Sequence, residues 1–496
     1  IIATVFRVYQ LERIPPGLYP DEAMNGNNAL EALRGGEFSA EGGPASGWKV
    51  YYPENNGREG LFINIQALFL KTAGLNEPWV LRLPSAIFGI LTVWGLYLLG
   101  KELFSKRVGL LAAFFMAVSV WHIIFSRIGF RAIMAPFFAV WAIYLLLKAI
   151  HNPNSKFQIP NSILAGILFG LGFYTYIAYR VSPLLLILFI IFFRKIPNFW
   201  KVLLVFLGVT FIVALPIGIY YLQNPADFMG RTSQISVFSS ATPLKDLALN
   251  IGKTLAMFNF VGDGNWRHNF ASRPELFWPV GILMWLGVVL GFKALFHKQH
   301  PSIIAGHTED GFLSWESEKN LRFAYSLLFA WLILAFLPVV ISNEGLPHAL
   351  RSIFMIPPLF LLAATGGIFA YTYFQKHMRE TAVLNFAAVI LGLLLIYEAS
   401  QTYFLLWGRN PKTAGAFAKD YAEIGWILNR LPQTMPKYVI VEAGGVPVRG
   451  IPMPTQTVMF LTDTFSPESQ AAKNIHYIPP AEEANIPQGA VKFYLR

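Results

Sequence analysis

The sequence predicts an all-α polytopic membrane protein with a small α/β domain at its C-terminal end, and three observations predict this fold class. Hydrophobic residues make up 55% of the 496 positions and charged residues only 14%, where a soluble domain carries about a quarter. Apolar runs of about 20 residues recur along the chain, each long enough to cross a bilayer as a helix. Residues 407–496 contain no such run and are rich in polar residues, Pro and Gly.

About eleven transmembrane helices are expected, the first of them truncated. The first apolar run covers only residues 1–8, so the chain is expected to begin inside its first transmembrane helix, with no separate cleavable signal. The hydropathy rule places the spans at 1–9, 83–103, 107–125, 132–150, 161–179, 181–194, 200–222, 276–296, 322–342, 351–374 and 382–406. Residues 61–70 are too short to span the membrane, and 243–260 are amphipathic, so both are expected to lie in the interface.

The positions of Lys and Arg predict the orientation. If the first helix runs outward, every cytoplasmic loop carries positive charge, as the positive-inside rule requires. The long loops 10–60 and 223–275 then face outward, together with the C-terminal tail. The cytoplasmic cations on this interpretation are Lys101, Lys106, Arg107, Lys148, Lys156, Arg194, Lys195, Lys201, Lys293, Lys298, Lys319, Lys376 and Arg379.

Two domains follow from this division. Residues 1–406 are expected to form the transmembrane domain, and 407–496 an extracytoplasmic α/β domain that folds alone or depends on docking to the membrane part. Within the tail, the apolar spacing predicts a helix at 416–431 and short strands at 438–441 and 492–495.

The composition excludes several classes of function. The net charge of +11 is spread over short loops between apolar segments, so no nucleic-acid partner is expected. The absence of Cys excludes disulfides, thiol chemistry and Cys-based metal sites. His297, His300 and His307 share one loop without nearby acidic ligands, so a solvated loop is expected rather than a zinc site. No nucleotide-binding loop is present. We therefore expect no metal and no cofactor.

Two adjacent carboxylates, Asp21 and Glu22, follow the first hydrophobic segment at the predicted outer mouth of the protein. Asp21 suits two roles that are compatible: it can cap the helix that follows, and it can take a proton from an acceptor hydroxyl while a lipid-linked donor stays in the bilayer. An aspartate is ordinarily ionised at neutral pH and is ready to accept a proton. Glu22 is expected to orient the acceptor or to share the proton.

The cations of the predicted outer loops are mostly arginines at helix mouths. Charge at a membrane boundary is costly and tends to be functional or to snorkel to the lipid headgroups. The planar fork of Arg suits phosphate oxygens better than Lys does. Some of these residues are therefore expected to bind the phosphate of a polyprenyl-linked donor; the alternative for each is snorkelling or pairing with a local carboxylate. The set is Arg82, Arg127, Arg131, Arg180 and Arg351.

Two further clusters lie in predicted outer loops. Arg58 and Glu59 either face the same pocket as Asp21 or cap the helix that follows. His348 and Arg351 stand three residues apart in a short kinked loop, where they can bind an anion with help from a helix N-terminus, or simply form a turn. The loop 262–269 carries polar and aromatic residues of the kind that bind sugars, or that pack a loop.

The order of these motifs resembles that of the GT-C superfamily of membrane glycosyltransferases, closest to its protein O-mannosyltransferase-like group, which includes the lipid A aminoarabinose transferases. The resemblance covers about residues 1–406. Besides the acidic pair, the matching segments are 81–86, 100–104, 125–131 and 347–351.

The resemblance implies an inverting transfer of a sugar from a polyprenyl-phosphate donor on the outer face of the membrane. Asp21 corresponds to the family's base or acceptor-side anchor, and Arg82 is expected near the donor phosphate. Metal is generally not required in the mannosyltransferase branch. One departure is that the family's His-Pro-Pro-type sequence is replaced here by Arg58-Glu59-Gly60-Leu61, which leaves the contacts of this part of the loop open.

The expected function is thus that of a glycosyltransferase, moving a hexosyl or pentosyl group to a hydroxyl of a protein, lipid or glycan in the cell envelope, with membrane lipids around it and a bacterial plasma membrane as its location. The alternative is a flippase, transporter or ligase of lipid-linked saccharides; a third possibility is a non-catalytic relative that binds glycan. A transporter is expected to show inverted repeats and charges near the bilayer midplane. Here no clear repeat is seen, and the candidate charges lie at one predicted face only.

Overall fold

The computed structural model describes residues 1–35, 47–229, 236–296 and 317–496. Parts of the predicted outer loops 10–60 and 223–275 lie outside these ranges, as do His297, Lys298, His300 and His307.

The described residues are mostly helical. The helices of the N-terminal part are α1 (Ile2–Val8), α2 (Pro20–Leu33), α3 (Leu61–Ala73), α4 (Pro78–Leu103), α5 (Lys106–Ala117), α6 (Val120–Phe125), α7 (Met134–His151), α8 (Gln158–Gly172), α9 (Leu186–Phe193), α10 (Phe199–Gln223), α11 (Pro225–Met229), α12 (Pro243–Ala256), α13 (Trp278–Phe296), α14 (Ser317–Val340), α15 (Ile356–His377) and α16 (Thr381–Ser400). The tail adds α17 (Pro411–Ala416), α18 (Lys419–Arg430), α19 (Gln456–Thr462) and α20 (Pro467–Lys473). The strands are β1 (Tyr51–Tyr52), β2 (Arg58–Glu59), β3 (Lys437–Val441), β4 (Pro447–Val448), β5 (Ile451–Pro452), β6 (Ile475–Ile478) and β7 (Val491–Leu495).

Seven helical segments among the described residues are long and apolar enough to cross a membrane, which confirms the polytopic class. The predicted span 107–125 is interrupted, because α5 ends at Ala117 and Ser119 begins α6 by accepting a hydrogen bond from the backbone of His122. The count of eleven stays a prediction. The seven segments are Pro78–Leu103, Arg131–His151, Phe199–Gln223, Trp278–Phe296, Lys319–Val340, Ile353–His377 and Thr381–Trp407.

Small residues allow the central helices of the bundle to pack closely. A Cβ added at Gly287 of α13 would stand 1.9 Å from the carbonyl oxygen of Leu362 on α15, and one at Gly366 of α15 would stand 2.0 Å from that of Leu283. Reciprocal backbone contact of this kind is typical of helices packed inside a membrane. The segments predicted to lie in the interface form helices, α3 and α12.

The tail forms the predicted α/β unit. Strand β3 is central in a three-stranded parallel sheet of order β6-β3-β7, and α18 packs its Leu428 against Val439 and Ile475 of the sheet. The predicted helix 416–431 corresponds to α18, and the strands at 438–441 and 492–495 correspond to β3 and β7. Strand β6 has no counterpart among the strands predicted from the sequence.

The tail is docked on α2, the helix that carries Asp21. Phe460 of α19 lies where a side chain on Gly26 of α2 would stand, 2.5 Å from the added Cβ. The hydroxyl of Thr457 donates to the carbonyl oxygen of Leu18 at 2.9 Å. Arg34, which follows α2, pairs with Asp463 at 2.6 Å. Packing and polar contacts therefore join the tail to the segment that positions Asp21.

Arg449 of the tail makes a further link, and its removal is expected to loosen the docking. Its guanidinium pairs with Glu31 of α2 and with Glu54, each at 2.9 Å. Because a quarter of the Arg449 side chain is exposed, we expect Arg449→Ala to cost about 1–2 kcal/mol, below the upper end for charged hydrogen bonds. Thermal unfolding of the detergent-solubilised protein measures this loss.

Arg496→Ala is the matched control for Arg449→Ala. Arg496 pairs with Glu442 in the same tail but is 75% exposed, and its removal is expected to leave the unfolding temperature within experimental error. An equal effect of both substitutions would contradict a specific docking role for Arg449.

Candidate active site at the start of α2

A buried ion pair fixes the chain where it enters α2. The carboxylate of Glu22 accepts hydrogen bonds from Arg82 Nε at 3.0 Å and Nη2 at 3.1 Å, and from the backbone N–H of Gly129 at 2.6 Å. Arg82 also donates to the carbonyl oxygens of Pro15 at 2.7 Å and Gly17 at 2.8 Å. Both charged side chains are fully buried, so every contact made by the pair lies inside the protein.

Arg127 is likewise buried and hydrogen-bonded inside the protein. Its guanidinium donates to the Tyr403 hydroxyl at 2.9 Å and to the carbonyl oxygens of Phe6 and Ile14, both at 3.0 Å. The side chain is fully buried. Arg127 therefore ties α1, the turn before α2 and the end of the last membrane helix together.

Three residues expected at the site are thus parts of its support. Glu22 does not face the acceptor side as a second catalytic carboxylate, and Arg82 and Arg127 do not present free donors to a phosphate. The physical reason is that a buried charge is tolerated only when its partners satisfy it. Here the partners are the ion pair itself, the turn at 14–17 and the groups of Phe6, Gly129 and Tyr403. These residues hold α2 in place.

Asp21 lies at the second position of α2, partly exposed. The Asn55 side-chain amide donates to its Oδ1 at 2.8 Å. The residue that caps α2 is Tyr19, whose backbone N–H donates to Glu22 at 3.4 Å, so the capping role proposed for Asp21 is filled by its neighbours. The carboxylate of Asp21 is still favoured there by the dipole of the helix.

Arg58 lies along the same face of α2 as Asp21. The short hairpin β1–β2 brings its guanidinium to the amide oxygens of Asn25, at 2.6 Å, and Asn28. Asp21, Asn25 and Asn28 follow a helical spacing of four and three residues, which places them in one row. Burial lowers the pKa of Arg58 to about 10, with Arg131 lowering it further and Asp21 opposing the shift, so the cation stays charged at neutral pH. Arg58 thus contacts α2, and the shared pocket with Asp21 stays a prediction.

Glu59 joins two more of the expected arginines. Arg131 Nε donates to Glu59 Oε2 at 2.7 Å, and Arg180 Nη2 lies 3.3 Å from Oε1. Arg180 also donates to the Tyr221 hydroxyl at 2.8 Å and to the carbonyl oxygen of Phe228 at 2.6 Å. In the part of the chain that the structure describes, neither terminal nitrogen of Arg131 has a hydrogen-bond partner, and a quarter of its side chain is exposed. Arg131 therefore has two terminal nitrogens that are available to a ligand.

Arg351 and Arg267 lie on the other side of the site. Arg351 donates to the backbone oxygen of Glu344 at 2.7 Å and pairs with its carboxylate at 3.1 Å. Arg267 stacks over the ring of Tyr19 at 4.1 Å. Burial and the neighbouring charge of Asp21 raise the pKa of Tyr19 to about 12, against the effect of Arg267. Tyr19 thus stays protonated between a carboxylate and a guanidinium.

Electrostatic contacts connect the two sides. Tyr176 interacts with the charges of both Arg131 and Arg351, just as Tyr19 interacts with those of Asp21 and Arg267. We refer to Asp21, Arg58, Arg131, Arg180, Arg267 and Arg351 as the charged rim. The structure thus brings together Asp21 and four of the arginines predicted from the sequence, with Arg267 as an addition from the loop at 262–269.

His348 belongs to a polar cluster beside the charged rim. Asp263 accepts hydrogen bonds from His268 Nδ1 at 3.1 Å and from the backbone of Ala349 at 2.9 Å. Burial lowers the pKa of His348 to about 3, assisted by the positive charges near it. Asp263 is not predicted as a partner of His348 from the sequence, because only the folded chain joins two residues that lie 85 positions apart.

A separate cavity lies away from the charged rim, between α5, the 269–277 segment and α13, α15 and α16. Its lining includes Trp121, Arg273, Glu275 and Glu398. No residue of the charged rim lines this cavity. The residues that the sequence predicts for proton transfer and phosphate binding therefore lie outside this cavity.

The rim combines the two parts that transfer from a phosphate leaving group needs. Asp21 is a partly exposed carboxylate that can accept a proton, and the arginines can stabilise negative charge on a departing phosphate. Five arginines against the carboxylates of Asp21, Glu59 and Glu344 give this region an excess of positive charge.

Comparison with known proteins agrees with this description. Residues 61–220, about a third of the chain, match the family described as dolichyl-phosphate-mannose-protein mannosyltransferase. No curated protein sequence matches the chain.

Several solved structures have a similar fold. ArnT from Cupriavidus metallidurans bound to undecaprenyl phosphate is similar over 99% of this chain and 88% of that chain, at 14% identity and a TM-score of 0.54. The Archaeoglobus fulgidus oligosaccharyltransferase in complex with Zn and sulfate is similar over 97% of this chain and 61% of that one, at 14% identity and a TM-score of 0.53. The oligosaccharyltransferase AglB from the same organism, in complex with an inhibitory peptide and a dolichol-phosphate, gives 14% identity and a TM-score of 0.50 over 96% and 63% of the two chains.

These similarities confirm the resemblance predicted from the sequence. The chain shares the polytopic fold of these solved structures, and its residues 61–220 match the family described as dolichyl-phosphate-mannose-protein mannosyltransferase.

Proposed function

We propose that this protein is an inverting glycosyltransferase that moves a sugar from a polyprenyl-phosphate donor to an acceptor hydroxyl. The observation that carries this proposal is the position of Asp21, a partly exposed carboxylate beside Arg58 and within one charged rim with Arg131. The molecules bound in two structures with a similar fold, undecaprenyl phosphate and dolichol-phosphate, support a lipid-linked donor.

The reaction is a single displacement at the anomeric carbon. The acceptor oxygen forms a bond to that carbon while the bond to the donor phosphate oxygen breaks, which inverts the configuration. The acceptor proton passes to Asp21, and the electron pair of the broken bond stays on the phosphate. The two terminal nitrogens of Arg131 donate to this phosphate, and the other arginines of the charged rim add to the positive potential around it.

Transfer in detergent tests the function against its alternative. Purified protein is incubated with polyprenyl-phosphate mannose and with peptide, lipid and glycan acceptors, and the labelled product is identified. Transfer without a sealed bilayer is expected, because the chemistry needs no gradient. A protein that moves the lipid-linked sugar across vesicle membranes, yet forms no product with any acceptor class, would instead be a flippase.

We further propose that the charged rim faces outward from a bacterial plasma membrane, as the positive-inside rule predicts. The chain has no cysteine, so single cysteines can be introduced and labelled. In intact cells, Asn56→Cys near the rim is expected to react with a membrane-impermeant maleimide, whereas Lys106→Cys at the start of α5 is expected to react only after permeabilisation. The reverse pattern would overturn the orientation.

Replacing Arg131 by Gln is expected to weaken use of the donor. Loss of charge-assisted hydrogen bonds worth about 1.5–3 kcal/mol corresponds to a fall of about 10–150-fold in kcat/KM for the donor, while the KM for the acceptor changes little. Steady-state kinetics with each substrate varied in turn measure both.

Arg13→Gln is the control for Arg131→Gln, because Arg13 is an exposed arginine before α2. It is expected to behave as the wild type. Donor kinetics of Arg131→Gln within about twofold of the wild type would reject the phosphate assignment of Arg131.

A further inference from the structure

Three potential metal ligands converge from two loops beside the charged rim. Asp263 and His268 come from the loop before α13, and His348 from the loop before α15. One ligand atom of each lies within 4.8 Å of the others. The Nδ1 atoms of His268 and His348 are 3.1 and 3.9 Å from the same oxygen, Oδ2 of Asp263.

The separation of 3.1 Å is close to that between two ligands of one tetrahedral ion, and the separation of 3.9 Å exceeds it. With metal–nitrogen and metal–oxygen bonds of about 2.0–2.1 Å, two ligand atoms of a tetrahedral zinc ion stand about 3.3 Å apart. A hydrogen bond explains the contact between Asp263 and His268 but not the approach of His348. The Nδ1 atom of His268 is at hydrogen-bond distance from Asp263 Oδ2, whereas the Nδ1 atom of His348, 3.9 Å from the same oxygen, is not.

The surroundings orient the ligands. The carboxylate of Asp263 is fixed by the backbone N–H groups of Asn265, at 2.7 Å, and Ala349, at 2.9 Å. The Nδ1 of His348 receives only a long contact of 3.4 Å from the backbone of Arg351. Outer contacts of this kind hold metal ligands in place. Asp263 and His268 are buried, while His348 is partly exposed, which leaves a route for an ion.

Two arginines stand close to the cluster and oppose a cation there. The charge of Arg351 is compensated by Glu344 at 3.1 Å, and Arg267 is stacked on Tyr19. These two positive charges lower the affinity of the cluster for a cation. The carboxylate and the two imidazoles supply the ligand types that zinc and similar ions prefer.

We propose that Asp263, His268 and His348 bind one divalent transition-metal ion, with zinc the best match, through one carboxylate oxygen and two imidazole nitrogens. The fourth position is left to water. The ion joins the loop that carries Arg267 to the loop that carries Arg351, and so fixes one side of the charged rim. This differs from the expectation, drawn from the sequence, that the protein has no metal.

The test uses the full chain in detergent and does not depend on transfer activity. Mass spectrometry of the purified protein is expected to find about one zinc per chain. After treatment with EDTA, added Zn²⁺ is expected to raise the thermal unfolding temperature by a few degrees and to saturate, whereas added Mg²⁺ is not. A purified protein without zinc, whose unfolding temperature Zn²⁺ does not change, would overturn the site.

Variants assign the ligands. His268→Gln and His348→Gln are each expected to lose the bound zinc and the Zn²⁺-dependent shift, and His377→Gln, an exposed histidine at the end of α15, is expected to keep both. Zinc retained at the wild-type level in the first two would reject these ligands. If the variants do not fold, the visible spectrum of Co²⁺ added to the EDTA-treated wild type decides: bands of four-coordinate cobalt support the site, and the spectrum of aqueous cobalt overturns it.

Discussion

Replacing Asp21 by Asn is expected to lower kcat for transfer by about 10²–10⁴-fold, which is the usual contribution of a positioned general base. The substitution keeps the size of the side chain and can still accept the hydrogen bond from Asn55, which is 2.8 Å long in the wild type. Only the ability to take the acceptor proton is lost. Folding and donor binding are therefore expected to persist, so the effect falls on turnover.

The measurement is transfer under saturating donor and acceptor, with donor binding followed separately by competition with unglycosylated polyprenyl phosphate. Glu12→Gln is the control, because Glu12 is an exposed carboxylate shortly before α2; it is expected to retain full activity. Turnover of Asp21→Asn within a few-fold of the wild type would remove Asp21 from the role of base. Loss of both turnover and donor binding would instead point to disruption of the rim.

The largest expected effect on stability comes from the ion pair below the rim. Arg82→Met leaves the buried carboxylate of Glu22 without its cation and removes the donors to the carbonyl oxygens of Pro15 and Gly17. Breaking a buried pair from one side typically costs about 3–5 kcal/mol. We expect a loss of that order, measured by thermal and denaturant unfolding in detergent.

A double-mutant cycle separates the ion pair from the rest of the site. Because the second substitution removes the charge that the first leaves unpaired, Arg82→Met combined with Glu22→Gln is expected to cost less than the sum of the two single substitutions. Additive losses would contradict the pair. If Arg82 bound the donor phosphate directly, Arg82→Met would lower donor affinity with little change in stability, which is the opposite pattern.

These substitutions test different roles for Asp21 and Glu22, two side chains on α2 that the sequence describes alike. Asp21 and Glu22 are adjacent carboxylates, and both were candidates for proton transfer. The helix turns them in different directions: Asp21 toward Asn55 and the rim, Glu22 toward Arg82 and the interior. An acidic pair at a helix start predicts that one member faces the site, but it does not say which.

The arginines likewise form two groups, those that support the fold and those that are able to bind a ligand. Arg82 and Arg127 are as close to a helix mouth in the sequence as Arg131, yet partners inside the protein accept their hydrogen bonds. Arg82 donates to Glu22 and to the turn at 14–17. Arg127 donates to Phe6, Ile14 and Tyr403. Arg131 keeps its terminal nitrogens free within the described part of the chain. The position of an arginine at the end of a membrane span predicts that its charge has a structural or functional role. Whether the arginine can bind a ligand depends on whether groups of the protein already accept its hydrogen bonds.

The sequence by itself determined the class of the protein, because hydrophobic runs and the pattern of cations follow from local composition. It also located the acidic pair and four of the five arginines of the charged rim. The tertiary structure alone decided which of these charges are buried, how the tail docks on α2, and that Asp263 meets His348. Those outcomes depend on contacts between segments tens to hundreds of residues apart, where burial and available partners, rather than residue type, set the role of a charge.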